Sequence, residues 1–134
     1  MKNGLLLLLL LLSAGWVRGQ RIYNLPNVQP NAADFENIFT LPLESDELSS
    51  SFVIWIKKSV PAHFHREHSE QVLVLAGEGI IQMNGQGYRI VAGDLINIPK
   101  GVAHSVSVTS QEPMKVLSIQ SPRFDGKDRV NLGQ

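Results

Sequence analysis

The sequence predicts an all-β fold, an antiparallel sandwich or barrel, and three observations carry that prediction. Short apolar stretches recur at close intervals between Phe52 and Gln120. Gly, Pro and Asn punctuate them at turn-forming positions. Helical periodicity is nearly absent, so the elements read as short strands rather than helices. Strands this short, joined by turns this tight, close on themselves or stack as two sheets. At 134 residues the chain is one domain.

The first 19 residues stand apart from this pattern. Lys2 supplies a positive start, Leu5 to Leu12 is an unbroken leucine run, and small residues follow at Ser13-Ala14-Gly15 and Val17-Arg18-Gly19. The run is shorter than the roughly 20 residues needed to span a bilayer. It reads as a secretory signal peptide, cleaved after Gly19 or, as the next choice, after Gly15. The mature protein is expected to be exported, periplasmic or extracellular, with no stable membrane anchor. Removing Lys2 and Arg18 takes the net charge from 0 to −2. No basic surplus points to nucleic acid. Cysteine is absent. Stability therefore comes from the core, a bound metal or a partner subunit, and a thiolate nucleophile is excluded.

Residues 20–51 form an N-terminal arm and connection. Pro26, Pro30 and three asparagines make its start extended or looped. Asn31 is a candidate N-cap for a helical turn through Ala32-Ala33-Asp34-Phe35-Glu36. Phe35, Ile38, Phe39 and Leu41 cover an end or edge of the core, and Glu44 to Ser51 is a surface connection. The barrel spans 52–120. Phe52 to Ile56 is a strand buried on both faces or at a sheet-sheet contact, and the segment around His63 and His65 is the next. Glu70 to Ala76 follows a turn at Arg66 to Ser69. Asn84-Gly85 marks a hairpin between Ile80–Met83 and Gly87–Val91, because both central residues must take positive φ. Leu95 to Ile98 is ended by Pro99. His104 to Thr109 alternates and sets His104, Val106 and Val108 on one face. Met114 to Gln120 is the last strand, and 121–134 is a polar C-terminal tail.

The chemistry concentrates in Pro61-Ala62-His63-Phe64-His65-Arg66-Glu67-His68-Ser69-Glu70. His63 and His65 stand one residue apart, so on a strand they point the same way, about 7 Å apart at their Cα atoms. If the run after Glu70 is the next antiparallel strand, Glu70 returns beside them. His104 is the fourth candidate. Three neutral imidazoles and one carboxylate suit a divalent transition metal. Four protein ligands leave two positions open on an octahedral ion and close a tetrahedral one. Fe, Mn or Ni is therefore favoured for catalysis, with Zn possible.

His63-x-His65-x4-Glu70-x6-Gly77 resembles the first motif of the cupin superfamily, and Gly93-x5-Pro99-x-Gly101-x2-His104 resembles the second. Lys57 and Val108 depart from the pattern where Gly and Asn are frequent, and neither is a ligand position. The resemblance, to small single-domain cupins, implies an antiparallel double-stranded β-helix, a jelly-roll-like barrel with a pocket between its sheets. It also implies that His63, His65, Glu70 and His104 bind the metal. His68 matches no ligand position. It reads as a solvated turn residue, with a place at the pocket mouth or a general-base role as the alternative. Arg66 and Glu67 read as surface charges. Gln82, Tyr88, Arg89 and Asn97 lie on strands that could face the pocket, with parity undecided until the register is known. Trp55 and Phe64 read as core.

Three functions compete. The first is a metal-dependent enzyme on a small-molecule substrate, a dioxygenase favoured over an isomerase or lyase. The second is a non-catalytic metal or sugar-like small-molecule binding module. The third is a metal-stabilised structural subunit. A homodimer is expected, and the catalytic residues are not legible in the sequence.

Overall fold

A computed structural model of the chain describes residues 19–31 and 34–133. The expected leader, apart from Gly19, lies outside the described residues, as do Ala32 and Ala33 of the expected helical turn. Its described part, 34–36, is not helical. The one described helical piece is a 3-10 turn at Leu25–Asn27, with Pro26 in its first positions where a missing N–H costs nothing. No helix among the described residues is long and apolar enough to cross a membrane.

Among the described residues, ten strands make two five-stranded antiparallel sheets. The strands are β1 (Ile38–Ser45), β2 (Ser50–Ile56), β3 (Ser59–Phe64), β4 (Ser69–Ala76), β5 (Glu78–Met83), β6 (Gln86–Val91), β7 (Leu95–Ile98), β8 (His104–Val108), β9 (Met114–Ser121) and β10 (Val130–Asn131). One sheet has the order β1-β2-β9-β4-β7 and the other β10-β3-β8-β5-β6. Consecutive strands β3 and β4 thus lie in opposite sheets, the crossover that winds the chain into a double-stranded β-helix.

Local chemistry explains the turns. Asn84 (φ 49°) and Gly85 (φ 81°) join β5 to β6 with both residues left-handed, and Met83 pairs with Gln86 across them. Gly77 has φ 78°, and a Cβ there would lie 2.9 Å from the Met114 backbone. That position admits only glycine.

The core lies between the sheets, where Ile56, Val74, Ile81, Ile90, Ile96, Ile98, Met114 and Val116 form one buried cluster. β2 is apolar on both faces because both are covered. Phe52, Ile54 and Ile56 face the interior cavity, whereas Val53 and Trp55 are buried without lining it. Trp55 packs on Phe39 (5.9 Å between ring centroids), and the Lys115 ammonium lies 5.4 Å from its ring. That ammonium donates to the carbonyls of Leu25 (2.6 Å), Pro26 (3.4 Å) and Val28 (2.6 Å). It pins the N-terminal arm over the outer face of the sheet. Residues 38–45, expected as edge cover and surface connection, are an edge strand paired to β2 along its length.

The C-terminal segment, expected as a polar tail, folds back onto the barrel. β10 pairs with β3 through Val130–Phe64 and Asn131–His63. Leu132 N–H donates to the Ala62 carbonyl at 2.9 Å, and Phe124 N–H donates to Ser50 Oγ at 3.0 Å.

Candidate metal centre

His63, His65, Glu70 and His104 are all buried, and one ligand atom from each falls within 4.8 Å of the others. His63 on β3 and His104 on β8 are direct cross-strand partners. His65 stands just past the end of β3, and its carbonyl is held by Gly101 N–H at 2.7 Å, so the second motif's glycine turn buttresses the first motif's histidine. Glu70 does not come back beside the histidines, because β4 pairs with β7 and β9 in the facing sheet. It reaches the cluster from across the barrel. The four candidate donors therefore come from both sheets and meet at one point.

The three imidazoles share one orientation device. His63 Nδ1 donates to the Pro61 carbonyl (2.8 Å) and His104 Nδ1 to the Val102 carbonyl (3.0 Å). His65 Nδ1 donates to the Asp128 carbonyl. A carbonyl only accepts, so each Nδ1 carries the proton and each Nε2 keeps its lone pair. Glu70 Oε2 lies 3.6 Å from His65 Nε2 and 3.5 Å from His104 Nε2. Glu70 Oε1 accepts from Ser118 Oγ at 2.5 Å. His65 Nε2 is buried with no hydrogen-bond partner, a costly state for a polar atom unless something else fills it. Fixed Nδ1–H tautomers, converging lone pairs and an orphaned acceptor beside a carboxylate are what a metal ion requires of its ligands. The residues fit the ion.

The electrostatics agree. Burial pushes His63 down to about 4, which outweighs the opposing Pro61 carbonyl and is assisted by His104. It is neutral and able to ligate at neutral pH. Burial works against charge on Glu70, yet the His104 and His65 rings beside it and the Ser118 hydroxyl hold its carboxyl well below the usual carboxylate range. Burial likewise opposes charge on His65, but Glu70 and the Asp128 carbonyl raise it. Glu70 is thus the anion around which the cluster is built.

The cluster lines a cavity of about 260 Å³, otherwise walled mainly by Ile, Val, Met and Phe side chains. Gln82, Tyr88, Arg89 and Asn97 do not line it, and all four are exposed. Arg89 instead pairs with Glu78 at 2.6 Å. Trp55 and Phe64 do not line it either.

His68 is not a solvated turn residue. It is 7% exposed, with Nδ1 2.5 Å from Asp128 Oδ2 and Nε2 2.8 Å from the Arg123 carbonyl. Both nitrogens face acceptors, so both carry protons and neither is free to act as a base. Burial opposes this charge, and Asp128 with the Arg123 carbonyl raises His68 against it. Arg66 and Glu67 are exposed as expected, but their backbone N–H groups donate to the Asp128 carboxylate at 2.9 and 2.8 Å.

Gln120, Phe124 and Arg129 are among the cavity residues that escaped the sequence reading. Gln120 had a signal, since it shares strand parity with Met114, Val116 and Ser118 and is a polar residue on an inward face. Phe124 and Arg129 had none, because the irregular segment between β9 and β10 has no periodicity to read. Phe124 stacks edge-on against His65 (5.6 Å) and His68 (5.3 Å).

Comparison with known proteins accords with this geometry. An uncharacterised protein of Aquifex aeolicus (strain VF5) is 34% identical over 105 residues, covering 78% of this chain and 86% of that protein. Quercetin 2,3-dioxygenase of Bacillus subtilis (strain 168) is 38% identical over 50 residues, 37% of this chain and 15% of that enzyme. A crystal structure of an uncharacterised protein with a double-stranded β-helix domain, from Klebsiella pneumoniae subsp. pneumoniae MGH 78578, superposes with a TM-score of 0.70. The two are 19% identical, with 87% of this chain and all of that chain covered. The cupin domain model matches residues 51–120. A two-sheet antiparallel barrel, two ligand-bearing motifs and these matches together place the chain in the cupin superfamily.

Proposed function

We propose that this protein is an exported metal-dependent enzyme acting on a small molecule, with dioxygenase-type oxidation the favoured reaction. One observation carries the reading: three imidazole Nε2 atoms and the Glu70 carboxylate converge at one end of an apolar cavity, each imidazole oriented by a carbonyl on its Nδ1. His63, His65, Glu70 and His104 would hold one divalent ion, Fe, Mn or Ni. When bound, the ion supplies Lewis-acid or O₂ chemistry. The chain supplies the rest. Ile54, Ile98, Val106 and Phe124 give the cavity an apolar wall. Ser118 fixes Glu70 Oε1. Glu70 is the only carboxylate among the described cavity residues, and it is committed to the ion. The short similarity to quercetin 2,3-dioxygenase supports the oxidative choice.

A non-catalytic binding module is the second reading. It is favoured by the rest of the wall, which besides the four ligands carries only apolar groups, Thr40, Gln120 and Arg129. No further proton-transfer group stands there.

The test is metal content by mass spectrometry on natively exported protein purified without chelator, beside His65→Ala. Near one equivalent of Fe, Mn or Ni, absent from the variant, with O₂ uptake on flavonol or catechol substrates, supports the enzyme. Near one equivalent without turnover supports the binding module. Equal metal in both proteins removes the site. N-terminal sequencing of the same sample checks export through a start at Gln20 or Trp16.

A further inference from the structure

The cavity's charge and its unfilled polar atoms narrow what it can take. A divalent ion on Glu70 and three neutral imidazoles leaves one positive charge. Arg129 lines the same cavity and adds a second. Its Nε donates to Asn131 Oδ1 at 3.1 Å. Burial lowers its pKa and Glu70 opposes that, so the guanidinium feels both the cavity and the cluster. No second carboxylate lines the cavity among the described residues. The nearby Asp128 carboxylate is engaged by His68 and by three backbone N–H groups. Arg129 is exposed where it lines the cavity, so its guanidinium keeps its charge, and that positive charge beside the ion favours a ligand bearing a complementary negative group. Gln120 adds a second demand. It is 6% exposed, lines the cavity, and its Oε1 has no hydrogen-bond partner. A buried acceptor left open on a binding wall is a specificity device, because a ligand without a donor leaves it unsatisfied.

We infer that the cavity takes a small organic anion with an apolar body and one hydroxyl or N–H donor, its negative oxygen toward Arg129 and its donor toward Gln120. Arg129 and Gln120 are then the specificity-determining pair. The inference rests on the metal reading of the four-ligand cluster.

Calorimetry on the full mature chain, loaded with the metal it retains, tests it with three probes on one skeleton. Mandelate is an anion with a donor, phenylacetate an anion without one, and mandelamide a neutral analogue with the donor. Mandelate is expected to bind at least about tenfold tighter than either of the others. Arg129→Gln should remove the preference for mandelate over mandelamide and leave mandelamide within about twofold. Gln120→Leu should bring mandelate to the level of phenylacetate and leave phenylacetate unchanged. Mandelamide binding as tightly as mandelate, an unchanged preference in Arg129→Gln, or no binding of any probe at millimolar concentration overturns the inference and leaves the metal reading standing. Failure of the unsubstituted protein to retain metal removes the metal reading and, with it, the charge surplus and this inference.

Discussion

Replacing Asp128 with alanine tests how far the C-terminal segment holds the metal centre together. The Asp128 carboxylate accepts from the N–H groups of Arg66 (2.9 Å), Glu67 (2.8 Å) and His68 (3.2 Å), and from His68 Nδ1 (2.5 Å). Its backbone carbonyl accepts from His65 Nδ1. A hydrogen bond to a charged group contributes about 1.5–3 kcal/mol, but not all four are lost at that value. The Asp128 side chain is 14% exposed, and the Arg66 and Glu67 amides sit in an exposed turn where water replaces the carboxylate. His68 is buried, and its Nδ1–H is left without an acceptor. The expected destabilisation is about 3 kcal/mol, within the range for breaking a buried polar network, or roughly 10 °C in Tm for a domain of this size. Metal affinity should fall about tenfold to hundredfold, because the carbonyl that orients His65 is no longer held in place. Calorimetric melting without metal measures the first effect, and competition titration with a chelating indicator measures the second. Asp128→Asn keeps one acceptor oxygen and should fall between the two. A folded Asp128→Ala protein with wild-type metal affinity would refute the view that this segment positions His65.

The remaining predictions address the arm, the acid limb and the ion. Lys115→Met removes three donations to the carbonyls of Leu25, Pro26 and Val28. It should cost about 1–3 kcal/mol and raise amide exchange across 19–31 while metal affinity stays unchanged; unchanged exchange would sink the anchoring role. Burial works against charge on Asp128, but His68 and the amides of Glu67, Arg66 and His68 hold its carboxyl well below the usual range, and Glu70 is depressed likewise. A depressed carboxyl contributes stability that is complete above its unfolded value, about 3.9 for Asp and 4.3 for Glu, and lost as pH falls through the folded value. The urea midpoint should therefore drop between pH 6 and pH 3, and Asp128→Asn should flatten that drop; an identical slope in the variant would contradict it. Chelator should lower Tm by the binding contribution, about 2.7 kcal/mol when metal stands at 100 times its Kd, and should have no effect on His65→Ala. A chelator response in that variant would mean the ion sits elsewhere.

The candidate cluster was legible where its signals are local. The spacing of His63 and His65 encodes a shared face, and the turn residues around Gly101 mark the end of the loop that delivers His104. Asn84-Gly85 marks its hairpin for the same reason, since positive φ is a property of two adjacent residues. His68 misled because its polarity and its place in a turn argue for solvent, and nothing near it in sequence announces a partner.

The sequence by itself determined the strand-rich fold class, the alternation that selects inward faces, the four candidate metal-binding residues and the hairpin at Asn84-Gly85. Only the tertiary structure decided that Glu70 arrives from the facing sheet and that Lys115 clamps the arm. It alone showed that Asp128, 63 residues from His65, holds the His65 ring while Arg129 and Gln120 line the cavity. The physical reason is range. Periodicity and turn chemistry act over a few residues and are written in neighbouring side chains. Which sheet a strand joins, and where a segment without periodicity docks, depends on the path of the whole chain and on burial and hydrogen bonds that exist only once it has folded.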